Sequence, residues 1–169
     1  VYRLQGKGTF VTGAKLVQPL MQVTGFTEDM QRRGKIPSSR LLYAGVQKAN
    51  HIIASDLGIG LGQDYILIRR LRFADGVPLA IEETALSYEL CSALLDDDIA
   101  HGSIYGRLRQ MGIKLITGEQ YMEATLADSE QAELLQIERG AAVMHIERHV
   151  CSEQGIPVEA TYSTYRGDQ

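Results

Sequence analysis

The spacing of apolar residues divides the chain into short elements. In a strand every second side chain shares a face, and several runs keep that period. The opening "VYRLQGKGTFV" reads as strand, Gly-Lys-Gly turn and strand, a small hairpin with Lys7 at its tip. Residues 39–46 are apolar and basic and predict a strand. Residues 65–86 predict a hairpin around Ala74-Asp75-Gly76, and residues 114–126 a long strand. Residues 141–152 and 158–165 form a further hairpin around Glu153-Gln154-Gly155. Helical segments lie between these strands. Thr24 or Thr27 caps a helix over 28–33, stopped by Gly34, and Asn50 caps one over 51–57, ending at Gly58. Residues 87–95 predict a third helix, followed by an acidic turn at Asp96-Asp97-Asp98. Gly102-Ser103 opens a helix over 104–111, and Asp128 caps one through Leu135. Residues 12–20, "TGAKLVQPL", have no clear period and read as linker. Antiparallel hairpins with helices between them predict an α+β domain with one sheet face covered.

The stretch "RRLRFADGVPLAIEE" does not fit a plain amphipathic strand. Ile66, Ile68, Arg70 and Arg72 point one way, and Leu67, Arg69, Leu71 and Phe73 the other. One face therefore begins as isoleucine and ends as two arginines. On one reading the arginines are solvated and Leu67, Leu71 and Phe73 make the core. On the other, a concave sheet face ends in an anion site, where two planar guanidiniums hold a phosphate or carboxylate. The turn bears on this choice. A three-residue loop with a glycine bulge sets Arg72 opposite Pro78, Arg70 opposite Ala80 and Ile68 opposite Glu82, on the arginine face. A two-residue Asp75-Gly76 loop sets Arg69 opposite Glu82, a surface ion pair of little worth.

Composition narrows the class. With 169 residues, 44% apolar and 22% charged, the chain suits one soluble globular domain. A net charge of −4 supplies no general attraction to nucleic acid or anionic membrane. No apolar run reaches the length of a membrane span. Two cysteines, Cys91 and Cys151, are too few for a disulfide framework, so a cytoplasmic location is expected. The chain starts at Val1 inside a strand and reads as a piece of a longer protein.

Other candidate sites are weaker. "GIGLG" follows a helix and precedes a strand, the reverse of a dinucleotide loop. His145, Glu147, His149 and Cys151 share a strand face, but steps of roughly 7 Å spread them too widely for one ion, so no metal is expected. His51 and His101 have no companions. No serine sits in a G-x-S-x-G elbow, and neither cysteine has a context that lowers its pKa. No catalytic residue and no cofactor are therefore assigned.

"GFTEDMQRRG", "RRLRFADGVPLAIEE", "GSIYGRL" and "GIPVEATYSTYRGD" stand in an order and at intervals that resemble the effector-binding (UTRA) domain of HutC-type GntR transcription regulators. The resemblance covers residues 23–169. Residues 1–11 look like the remnant of the wing that closes the winged helix-turn-helix domain in that family, with 12–22 as linker. It implies a chorismate-lyase-like fold, a mainly antiparallel sheet with helices packed against it, in a homodimer. It also implies a small-molecule effector, typically a sugar phosphate, and DNA binding through the attached winged helix. By position, the phosphate falls to Thr27, Arg70, Arg72 and Ser103, and the sugar to Glu82, Glu159 and Tyr165, with Phe26 beside the site. Thr27 and Ser103 fall near predicted helix starts, where free N–H groups favour an anion. Thr161 departs from the amino-sugar pattern, so an N-acetyl preference does not follow. The alternative is a chorismate-lyase-like enzyme, which has no need of a wing hairpin.

Overall fold

A computed structural model of the chain describes residues 2–4, 8–10, 18–19, 23–96, 99 and 102–169. Lys7, Asp97, Asp98, His101 and most of segment 12–22 lie outside the described residues. β1 (Tyr2–Leu4) and β2 (Gly8–Phe10) pair as an antiparallel two-stranded sheet. The main sheet runs β3-β7-β8-β9-β6-β5-β4, and all its pairings are antiparallel. Its strands are β3 (Gln18–Pro19), β4 (Pro37–Lys48), β5 (Asp64–Ala74), β6 (Val77–Ser87), β7 (Leu115–Leu126), β8 (Ala142–Ser152) and β9 (Pro157–Arg166). The helices are α1 (Phe26–Arg32), α2 (His51–Leu57), α3 (Tyr88–Cys91), α4 (Ile104–Gln110) and α5 (Ser129–Leu135), with a 3-10 turn at Ser92–Asp96. The α+β class holds. Gln18–Pro19, expected as linker, instead pairs with Gln120 and Glu119 of β7.

Both sheet faces carry helices, not one. Ile66, Ile68 and Leu86 pack under α4 and the 3-10 turn through Leu94, Ile104 and Leu108. On the reverse face, α2 brings Ile53 and Leu57 onto Tyr65, Ala85 and Ala160, and α5 brings Ala132 and Leu135 onto Leu71 and Ile81. Central strands buried on both sides lose the apolar/polar alternation that one-sided covering produces. β5 is buried at Ile66, Ile68, Arg70 and Arg72 on one side and at Tyr65 and Leu71 on the other.

The helix caps follow the local chemistry. Asn50 Oδ1 accepts the Ile53 amide at 3.0 Å, and Gly58 ends α2 in the left-handed region. Asp128 and Gln131 form a reciprocal capping box on α5. α1 differs from expectation. It starts at Phe26, two residues early, with Gly25 as N-cap and no side-chain cap, so neither Thr24 nor Thr27 caps it. Burial of Phe26 and Met30 anchors this helix instead.

Between β5 and β6 the turn is the two-residue Asp75-Gly76, both at positive φ (52° and 80°). That is primed-turn geometry. Asp75 Oδ1 accepts the Ile36 amide at 2.9 Å, and Lys35 bonds its other oxygen at 2.8 Å. Alone, this turn would set Arg69 opposite Glu82. The register shifts, however, where Arg72 pairs with Ala80 and Phe73 with Pro78, which leaves Leu79 as an extra residue in β6. Beyond this bulge Arg70 faces Glu82 and Arg69 faces Glu83. Glu82 therefore lies on the arginine face, as the three-residue reading has it, but the loop has two residues and the pairs of that reading (Arg72 with Pro78, Arg70 with Ala80, Ile68 with Glu82) do not form.

Candidate functional site

The face of β5, β6 and β9 that carries Arg70, Arg72, Glu82, Thr84 and Glu159 ends beneath α1 and the start of α4. A cavity there is lined by Phe26, Thr27, Arg70, Arg72, Glu82, Ser103, Tyr105, Arg148 and Glu159, among others. Seven of the eight residues singled out from the sequence thus meet. Tyr165 lines an adjoining cleft of about 510 Å³, which shares Phe26, Glu82 and Arg148 with the first cavity.

Glu82 organises the arginines. Its carboxylate accepts from Arg70 Nη2 at 2.5 Å and lies 3.9 Å from Arg72 Nη1. Arg72 also donates to Thr27 Oγ1 at 3.0 Å, and its guanidinium lies 4.4 Å from the centre of the Phe26 ring. That is a cation–π contact. Thr27 reaches Arg72 from within α1. Arg72 is only 1% exposed, yet its Nε and Nη1, and Arg70 Nε, make no hydrogen bond within the protein. Buried donors of this kind have a standing cost that a suitable acceptor relieves.

The electrostatics follow from burial and pairing. Desolvation alone would raise the Glu82 pKa, but Arg70 and Arg72 overcome it and hold the group at about 2. Desolvation, helped by the like charge of Arg70, pulls Arg72 down to about 10 against the pull of Glu82. Burial and then Glu82 push Tyr165 up to about 12, so its hydroxyl stays protonated at neutral pH.

Ser103 caps α4, accepting the Gly106 amide at 2.9 Å, and donates to Glu28 Oε1 at 2.6 Å. Glu159 accepts from Thr161 and from Arg148 Nη2, the latter at 3.3 Å. Arg148 also donates to the Thr24 carbonyl at 3.3 Å and lies 5.3 Å from the Tyr105 ring centre. Sequence reasoning missed both Arg148 and Glu28. The available signal for Arg148 was parity. It alternates with His145, Glu147 and His149, so it faces the other side of β8.

That opposite side holds the metal-capable residues. Among the described residues, Asp56, Glu147 and His149 have ligand atoms within 4.8 Å of one another. His149 Nε2 lies 3.0 Å from Glu147 and 3.9 Å from Asp56, which also accepts from the Tyr162 hydroxyl. Asp56 comes from α2, a partner that strand spacing alone does not reveal, while His145 and Cys151 stay outside the group. The arrangement clasps α2 to the sheet, away from the arginine cavity. Cys91 is buried, and burial followed by Glu159 pushes its thiol up to about 12, far from a reactive thiolate. Among the described residues, no helix is long and apolar enough to cross a membrane.

A sheet that presents two buried arginines and two carboxylates to a covered cavity defines a small-molecule binding domain. Comparison with known proteins makes this specific. Residues 32–169 match the UTRA domain, and the chain belongs to this family, the effector domains of GntR/HutC-type transcription regulators. It is 36% identical over its whole length to the HTH-type transcriptional repressor NagR of Bacillus subtilis and covers 70% of that protein. It is 30% identical, over 99% of its length, to a histidine utilization repressor of Pseudomonas putida, of which it covers 66%. Among solved structures, the effector domain of PhnF from Mycobacterium smegmatis superposes with a TM-score of 0.82, 23% identity and coverage of 86% of this chain and 90% of that one. A GntR-family regulator from Enterococcus faecalis gives a TM-score of 0.69 at 28% identity, covering 78% of this chain and 94% of that one.

Proposed function

We propose that the chain is the sensor of a transcription repressor and binds a small phosphorylated sugar without converting it. The observation that carries this reading is the Arg70–Glu82–Arg72 group, whose buried guanidinium N–H groups are left partly unbonded at a cavity wall. Arg70 and Arg72 hold the phosphate, with Thr27 and Ser103 as hydroxyl donors and Phe26 packed beside it. Glu82, Glu159 and Tyr165 read the sugar hydroxyls from the larger cleft. Residues 1–11 belong to the wing of a DNA-binding domain, residues 12–22 link it, and residues 23–169 are the effector domain. Effector binding shifts the DNA affinity of that winged helix by favouring one arrangement of the domains. The domain works in the cytoplasm as a homodimer, which fixes two winged helices over two half-sites.

Calorimetric titration with paired phosphorylated and dephosphorylated amino sugars tests the ligand class. Each charge-assisted hydrogen bond contributes on the order of 1.5–3 kcal/mol. Arg70→Ala should therefore weaken phosphosugar binding by roughly 10–100-fold, and Arg72→Lys should retain part of the affinity because a point charge cannot reproduce the fork. Equal binding of the two sugars, or an unchanged affinity in Arg70→Ala, would refute the anion site. Product formed from chorismate would refute binding without turnover.

A further inference from the structure

Ser103, at the anion end of the cavity, is already bonded to a carboxylate of the chain itself. Glu28 Oε1 accepts from Ser103 Oγ at 2.6 Å and from Arg109 Nη2 at 3.0 Å, while Oε2 is buried without a hydrogen bond. Burial would raise the Glu28 pKa, but the bonds from Ser103 and Arg109 lower it, so the group is ionised at neutral pH. Gly25 makes this position accessible. A Cβ there would stand 2.7 Å from Glu28 Oε2. The space left beside Arg70, Arg72 and Ser103 is about 20 Å³, room for a single water. A tetrahedral oxyanion does not fit in that space, and it gains the single hydroxyl proton of Ser103 only if Glu28 gives it up.

We propose that Glu28 is a built-in competitor of the effector, an internal carboxylate that must leave Ser103 and Arg109 before a compact oxyanion can bind. This rests on the phosphate-sensing reading of the cavity. Charge supports the exchange. At the cavity Arg70, Arg72 and Arg148 are matched by Glu82, Glu159 and the nearby Glu28, so the charges balance, while Arg109 holds Glu28 from the exposed side. With Glu28 turned outward one positive charge is left unbalanced, which an incoming anion takes up. Phe26 and Thr27, the residues that hold Arg72, lie on the same helix α1 as Glu28. Displacement of Glu28 therefore pulls on the helix that follows the chain's first 22 residues, the side from which the response must leave the domain.

The test is calorimetric titration of this chain with inorganic phosphate and with glucosamine 6-phosphate near neutral pH. Glu28→Gln removes the charge at nearly constant volume, and both ligands should bind roughly tenfold tighter, or about 1.4 kcal/mol. Arg109→Ala loosens the same latch from its exposed side, outside the cavity, and should tighten binding by up to about fivefold. It decides the matter if Glu28→Gln does not fold. Unchanged or weaker affinity in the folded Glu28→Gln chain overturns the proposal. If wild-type binding is lost in Arg70→Ala but both latch variants match the wild type, only the role of Glu28 falls. If the wild type binds neither ligand, the sensor reading falls and this proposal with it.

Discussion

Glu82→Gln should lower stability and make the domain more dependent on its ligand. Glu82 lies 2.5 Å from Arg70 Nη2 and 3.9 Å from Arg72 Nη1, with a side chain only 7% exposed. Glutamine keeps the volume and removes the charge, so two buried cations share a strand face with no carboxylate between them. The cost follows in two ways. A pKa held at about 2 against an ordinary 4.5 corresponds to about 3 kcal/mol of folding free energy. Breaking a buried ion pair by removing one partner costs roughly 3–5 kcal/mol. The two ranges meet near 3 kcal/mol, which for a domain of this size lowers Tm by roughly 6–12 °C. The folded-state pKa lies below the free one. The stabilisation is therefore complete above the free value of 4.5 and is lost as the pH falls toward 2. Urea unfolding across this range should show the gap between wild type and variant closing in acid. At neutral pH, phosphate should stabilise the variant more than the wild type, because it restores the missing negative charge. A variant as stable as the wild type at neutral pH, or a gap that does not close in acid, would refute the reasoning.

Two further outcomes are expected. Deleting Leu79 removes the bulged residue but leaves Arg72 opposite Ala80 and Arg70 opposite Glu82, so phosphate binding should be retained while circular dichroism still reports the fold; lost binding would show that the local twist of the bulge, and not the pairing alone, sets the site. Sedimentation of the chain at high micromolar concentration should give a dimer, and a monomer would assign dimerisation to another part of the regulator.

Local chemistry was the legible part of the sequence. Asn50 and Gly58 bound α2, and Asp128 and Gln131 cap α5, because each cap needs atoms only a few residues apart. The arginine face was legible from strand parity. The helix start at Phe26 was not, because tertiary burial of Phe26 and Met30 substitutes for a capping side chain. Nor was the position of the bulge. Moving the extra residue from the turn to Leu79 leaves the parity at Glu82 unchanged but alters every pair, and only the strands flanking β6 decide between the two. Helices on both faces escaped notice because α2 and α5 are short and each covers only part of the reverse side. Arg148 and Glu28 were hidden for a related reason. Their partners, Glu159 and Ser103, lie 11 and 75 residues away in the chain.

The two adjoining cavities draw on parts of the fold with different tolerance for change. The arginine end is built on β5 and β6, where Ile66, Ile68 and Leu86 of the same face lie in the main core. A substitution there disturbs folding and grip together. The 510 Å³ cleft also draws on Gln120, Met144 and Ile146 from β7 and β8, toward the sheet's outer edge, where Met144 is 38% exposed. Side chains at that rim can be exchanged with little effect on the core. If the arginine pair holds an anion as proposed, that grip can be fitted to differently shaped metabolites by retailoring only the rim, and the domain then serves as a starting scaffold for biosensors.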